Sequence, residues 1–141
     1  DNIMLTREGN LFHIDFGHFL GNYKKKYGIK RERAPFIFTP QYAHVLDGKN
    51  GKPFSRFVEI CCMAFNILRR HKDMFITLFQ MMLCTGIPEL ASADDINYLR
   101  YAFAIGKSDE DAAAYFKKLI FSSLNTKTTI INDAIHVFVH R

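Results

Sequence analysis

Hydrophobic and polar positions divide the chain into an extended part followed by a helical part. Residues 2–6 and 10–14 are short, largely apolar runs separated by Arg7-Glu8-Gly9, which predicts a tight β-hairpin. Residues 17–37 hold three glycines, a charge run and Pro35, so a long loop with no fixed period is expected there. Thr39-Pro40 reads as a cap followed by a first-turn proline, opening a short helix to about Val45. Residues 47–53, DGKNGKP, read as a surface turn.

From there the period is helical. Phe54, Phe57, Val58, Cys61, Cys62, Phe65 and Leu68 recur at three-to-four spacing, with Arg56, Glu59, Arg69 and Arg70 largely opposite. Residues 74–84 are apolar nearly all round and stop at Thr85-Gly86-Ile87-Pro88, which makes them the expected buried helix. Ser92 with Asp95 and Ser108 with Asp111 have capping-box spacing, with Asp for the usual Glu, and start helices at roughly 93–104 and 109–123. A last amphipathic segment covers residues 129–140. The expected class is α+β: a hairpin (1–16), a long basic loop (17–38) and a mostly helical part (39–141), together making one domain of 141 residues.

Composition changes this picture in three places. Fourteen Phe and no Trp imply an aromatic core. Cys61, Cys62 and Cys84 lie in apolar helical patterns and read as reduced core thiols, neither a disulfide set nor a zinc site. The apolar runs are half the length of a membrane span, and DNIMLTREGN has no signal-peptide pattern. With no initiating Met, the chain reads as a piece of something longer.

Charge is the sharpest feature. The net charge is +5, and residues 24–33 carry all of it: Lys24, Lys25, Lys26, Lys30, Arg31 and Arg33 against Glu32 alone. Directly before this block, Asp15 follows an apolar run and precedes Phe16-Gly17, where the chain must turn. A carboxylate there could hold Mg²⁺, a hard ion that takes oxygen ligands and shares them with phosphates, or simply cap the loop. Asn2 lies at the start of the paired strand, so a hairpin could place its amide oxygen near Asp15. Kinases divide metal binding between one Asn and one Asp in this way. An isolated basic run would favour nuclear import or nucleic acid. Its position immediately after the metal-type Asp favours substrate phosphates and no nucleic acid.

These residues resemble a known family. DNIML, GNLFHIDFGHFLG and KKKYGIKRERAPF, with ILRRH at 67–71, TGIPEL at 85–90 and the stretch at 95–112, are similar to the catalytic core of the class I phosphoinositide 3-kinases. The resemblance implies a protein-kinase-like C-lobe fragment with 17–38 as activation loop. It implies Asn2 and Asp15 as metal ligands, Ile14 beside them at the nucleotide, and His18 near the transferring phosphoryl group. The cofactors would be ATP and Mg²⁺ or Mn²⁺.

It also implies that Lys24, Lys25, Lys26, Lys30, Arg31 and Arg33 read the headgroup of phosphatidylinositol 4,5-bisphosphate, whose 3-hydroxyl is phosphorylated. Lysines act there as point charges and arginines as planar forks, with Gly28 permitting the bend between the two groups. Expected partners are a phosphoinositide in anionic membrane, the rest of the catalytic subunit, and a regulatory subunit or small GTPase. The expected location is the cytoplasm, with recruitment to the plasma membrane.

The family's catalytic-loop Asp and His lie upstream of Asp1, so the chain alone is expected to be inactive. Relatives also carry a Trp in the final helix, which TTIINDAIHVFVHR lacks. Two other readings share parts of the pattern: a phosphoinositide 4-kinase or related protein kinase, and a non-catalytic module binding anionic lipid. His13 and His71 read as structural.

Overall fold

The computed structural model describes residues 3–14, 16, 19–23, 25, 26, 28–30, 34–127 and 138. The hairpin forms as the pattern predicts. Strand β1 (Ile3–Leu5) pairs antiparallel with β2 (Leu11–His13), in the register Ile3 to His13, Met4 to Phe12 and Leu5 to Leu11. The turn closes through Gly9 N donating to Thr6 O at 3.1 Å, and Gly9 takes φ +89°, a conformation open to glycine without strain.

The long loop is not wholly irregular. Two-residue strands β3 (Lys25–Lys26) and β4 (Ile29–Lys30) form a second antiparallel ladder, with Lys25 opposite Lys30 and Lys26 opposite Ile29. Two-residue strands are too short to show a period in sequence, which is why the pattern reads as loop.

Among the described residues, five helices follow. α1 (Pro40–Val45) begins at Thr39 with proline in its first turn, as expected. The DGKNGKP turn is shorter than its composition suggests, because α2 (Lys52–Arg70) already begins at Lys52 and absorbs Pro53 into its first turn. Gly51 before it is buried. A Cβ there would meet Asp47 O at 2.7 Å, so only glycine fits this close approach. α4 (Ala93–Ala102) and α5 (Asp109–Asn125) start where the capping spacings place them. Asp95 Oδ2 accepts from Ser92 N at 2.9 Å, and Ser108 Oγ accepts from Asp111 N at 3.0 Å.

Among the described residues, three centres of packing result. One joins α1, α2 and α5 through Phe38, Ala43, Phe54, Val58, Ile120 and Leu124, with Phe38 stacked on Phe57 at 5.3 Å. A second joins Phe65 to Ala104 and Ala112, with Phe65 stacked on Phe116 at 4.5 Å. The third joins α3 (Lys72–Met82) to α4 through Ile76, Leu90, Ile96 and Leu99.

Three expectations are corrected here. Residues 74–84 are not a buried helix: α3 buries Ile76 alone, and Met74, Leu78 and Met81 are exposed, because only one side of α3 meets α4. Cys84 lies beyond the end of α3 and is exposed, so it is no core thiol, while Cys61 and Cys62 are half-buried and free. Burial pushes both of those thiols up from their ordinary range. Arg69 does not sit opposite the core; it is 8% exposed and part of it. The predicted segment at 129–140 lies outside the described residues, apart from an exposed Phe138. Among the described residues, no helix is long and apolar enough to cross a membrane.

Candidate functional site

The first part of the site is the open end of the β1–β2 ladder. Ile3 faces His13 in register, so this is the end to which Asn2 and Asp15 are joined in sequence. Ile14 follows β2 directly and is exposed, as is Phe16. Asn2, Asp15 and His18 lie outside the described residues, as do Lys24, Arg31 and Arg33. The donor set itself, one amide oxygen and one carboxylate, is chemically suited to Mg²⁺ or Mn²⁺. Among the described residues, no group of three or more His, Cys, Asp or Glu could hold a metal ion.

The second part is the basic loop, and its geometry comes from how its ends are fixed. At the leading end, Leu20 adopts φ +57° and packs among the α3–α4 core residues. Asn22 Nδ2 donates to Glu89 O at 2.7 Å. Tyr23 meets Tyr98 edge to face, with ring centroids 6.3 Å apart. Burial, reinforced by the hydrogen bond with Tyr23, pushes the Tyr98 hydroxyl up to about 12. Hydrogen bonds from Ser92, with smaller ones from Ala91 and Asn22, hold the Asp95 carboxyl below its usual range.

At the trailing end, Ala34 is buried and Phe36 N donates to Ser123 Oγ at 3.4 Å. Phe36 also stacks on Phe116 at 5.9 Å, and Phe38 enters the α1–α2–α5 core. Between these anchors runs the charged block of residues 24–33. Gly28 turns it at φ +77°, at the bend the sequence assigns to it. The β3–β4 register then sets the first basic group against the second, with Lys25 and Lys30 as cross-strand neighbours. Lys25, Lys26 and Lys30 are thereby placed along one short ladder.

A third feature escapes the sequence reading. Arg69 Nε donates to Phe103 O at 3.0 Å, and its terminal nitrogens donate to Lys107 O, Ser108 O and Asn66 Oδ1. It also pairs with Asp109 at 3.1 Å, and Arg70 pairs with the other oxygen of the same carboxylate at 3.0 Å. These bonds close around the α4–α5 connection, where Ala104 holds φ +48° and is buried against Phe65. The Arg70 hydrogen bond, with the charges of both arginines, keeps the Asp109 carboxyl below its usual range. The signal was present: positions 54, 58, 62, 65 and 69 advance by one helical turn each, and the seam passes through Arg69, not Leu68. His13 closes the β1–β2 register opposite Ile3, and His44 lies in the last turn of α1. His71 ends α2 and begins α3, a structural position.

Comparison with known proteins gives the family. The family model for phosphatidylinositol 3- and 4-kinase matches residues 1–92. Phosphatidylinositol 3-kinase 2 of Dictyostelium discoideum is 64% identical over 140 residues, which cover 99% of this chain and 8% of that protein. Phosphatidylinositol 3-kinase 1 of the same organism is 56% identical, over 99% of this chain and 9% of its own length. The human phosphatidylinositol 4-phosphate 3-kinase C2 domain-containing subunit beta is 45% identical, over 96% of this chain and 8% of its own. The chain thus spans less than a tenth of the length of these curated relatives. With residues 1–92 matching the family model, the chain belongs to the phosphatidylinositol 3- and 4-kinase family.

Proposed function

We propose that the full-length protein is an ATP-dependent phosphatidylinositol 3-kinase of the class I type, and that residues 1–141 form its metal-binding strand end, activation loop and helical support. When bound, ATP with Mg²⁺ or Mn²⁺ supplies the γ-phosphoryl group and neutralises charge around it. Asn2 and Asp15 hold the cation through hard oxygens, and Ile14 lies against the nucleotide. His18 donates a hydrogen bond to phosphoryl oxygens as charge spreads over them. Lys24, Lys25, Lys26, Lys30, Arg31 and Arg33 orient the inositol headgroup so that its 3-hydroxyl faces that group. The same charges draw the protein from the cytoplasm to the anionic face of the plasma membrane, at roughly 1 kcal/mol per basic residue near the surface. The remainder of the catalytic subunit, and a regulatory subunit or small GTPase, would act through other regions.

The observation that supports this reading best is the clamp on both ends of the basic loop. A solvated charge run needs no clamp, whereas substrate positioning does. The bisphosphorylated lipid is the leading substrate because two cationic groups are registered against each other. A monophosphorylated lipid is the second reading, favoured by the name of the 45% identical human relative.

Replacing Lys30, Arg31 and Arg33 together by Ala in the full-length protein tests the assignment. Turnover (kcat/KM) is compared on bisphosphorylated, monophosphorylated and unphosphorylated lipid in vesicles of matched surface charge. The phosphorylated substrates should fall at least about tenfold while the unphosphorylated one survives, since only the former lose charge-assisted hydrogen bonds. An equal fall on all three rejects headgroup reading by this cluster. The preferred wild-type substrate decides between the two lipid classes.

A further inference from the structure

Between α2 and α5 lies a cavity of about 310 Å³, within the size range of ligand pockets. Its walls are Phe54, Val58, Cys62, Ala113, Ala114 and Phe121. The polar group among them is already satisfied, because Cys62 Sγ donates to Ala113 O at 3.4 Å. The interior therefore offers nothing to a sugar or a base and suits a hydrocarbon.

The mouth is different. Lys49 and Lys117 line it, with Ser55 and Glu59. Lys49 Nζ donates to Asn125 Oδ1 at 2.7 Å, a neutral partner that does not cancel its charge. Glu59 is engaged by Arg56 at 3.2 Å. Among the described residues, no carboxylate pairs with Lys49 or Lys117.

We propose that this cavity binds a single-chain amphiphilic anion, its apolar tail between α2 and α5 and its carboxylate or phosphate head between Lys49 and Lys117. The proposal stands apart from the kinase reading, because none of these residues belongs to the metal end or to the basic loop. A fatty acid and a single-chain phospholipid share the required chemistry.

The test uses the purified full-length protein and a fluorescent polyene fatty acid, displaced by oleate or by oleoyl lysophosphatidate below their micelle concentrations. Saturable displacement at one site is expected, and the more effective competitor identifies the source of the anion. Two variants locate the site. Ala114 lines the cavity but is exposed, so Ala114→Phe should fill the mouth without disturbing the core and should abolish displacement. Replacing Lys49 and Lys117 by Ala should weaken oleate about tenfold while leaving oleyl alcohol unchanged. Oleate should also slow alkylation of Cys62 relative to Cys61, which is outside the cavity lining. Absence of a saturable site would mean that another part of the protein covers the cavity, and would overturn the proposal. Binding that neither variant changes, equal affinity for alcohol and acid, or Cys62 left unprotected would overturn it too.

Discussion

The extended part at residues 3–38 and the helical part at residues 40–125 solve opposite problems. All six strand residues of β1 and β2 are exposed, with Leu5 at 65%, whereas Phe54 in α2 is 1% exposed. A two-stranded hairpin and a four-residue ladder cannot hold a position by themselves. The helical part has three buried clusters, built from phenylalanine stacks and aliphatic seams, and it lends its rigidity to the loop at two points. Leu20, Asn22 and Tyr23 borrow from α3, α4 and the connection between them; Phe36 and Phe38 borrow from α2 and α5. The charged block of the loop thus lies in sequence between two segments that are each fixed to a densely packed part of the molecule.

The largest expected effect belongs to the extended part. In the full-length protein, Asp15→Asn should lower phosphoryl transfer by at least about a hundredfold, since a charged ligand of the cation becomes a neutral amide of nearly the same shape. Thermal melting should stay at the wild-type value, because the amide is nearly isosteric with the carboxylate. Activity within about tenfold of wild type (about 1.4 kcal/mol) would instead make Asp15 a turn residue. The contrast between a chemical region and a structural one would then need redrawing.

The helical part should respond in the reverse sense. Arg69→Met keeps the apolar stem but removes the guanidinium that binds the Phe103, Lys107 and Ser108 carbonyls and the Asp109 carboxylate. Losing several charge-assisted bonds around a left-handed Ala104 should cost about 3 kcal/mol of local stability. Amide hydrogen exchange across residues 103–109 is the direct readout, with protection falling roughly a hundredfold or more. Exchange in the β1–β2 hairpin should not change. Unaltered protection at 103–109 would show that packing alone holds the connection.

How far the sequence reaches follows the same division. Helix starts were legible because a cap is local: Thr39-Pro40, Ser92 with Asp95 and Ser108 with Asp111 each declare themselves within four residues. The β1–β2 hairpin was legible for the same reason, through Arg7-Glu8-Gly9. What could not be read depends on partners distant in sequence. Nothing local in Leu20 or Asn22 announces contact with Leu90 or the Glu89 carbonyl, nor does Phe36 announce Ser123. Arg69 was assigned by its charge when its helical position argued for the core. Residues 74–84 were assigned by apolarity, although an apolar helix is buried only where something packs on it. At the candidate site, the sequence offers residue types suited to a cation and to phosphates, but not the contacts that fix the two ends of the basic loop.

The smallest expected effect sharpens the junction between the two parts. Tyr98 carries the leading anchor: its ring meets Tyr23, and Gly21 runs alongside it. Its hydroxyl is pushed from 10.0 up to about 12, chiefly by burial and then by the hydrogen bond with Tyr23. A raised value means that the folded state holds this proton more tightly than the unfolded chain does. The corresponding stability is therefore present in full below pH 10 and is lost as pH rises towards 12. Tyr98→Phe keeps the ring contacts and deletes the titrating group, at a cost of about 1 kcal/mol for one net hydrogen bond. Melting temperatures of wild-type and variant full-length protein, taken across this interval, give the check. Their difference should be constant at lower pH and should shrink between pH 10 and 12, as the wild type alone loses the anchor. A difference that stays flat would remove the hydroxyl from the anchor and leave its hold on the loop to ring packing, Leu20 and Asn22.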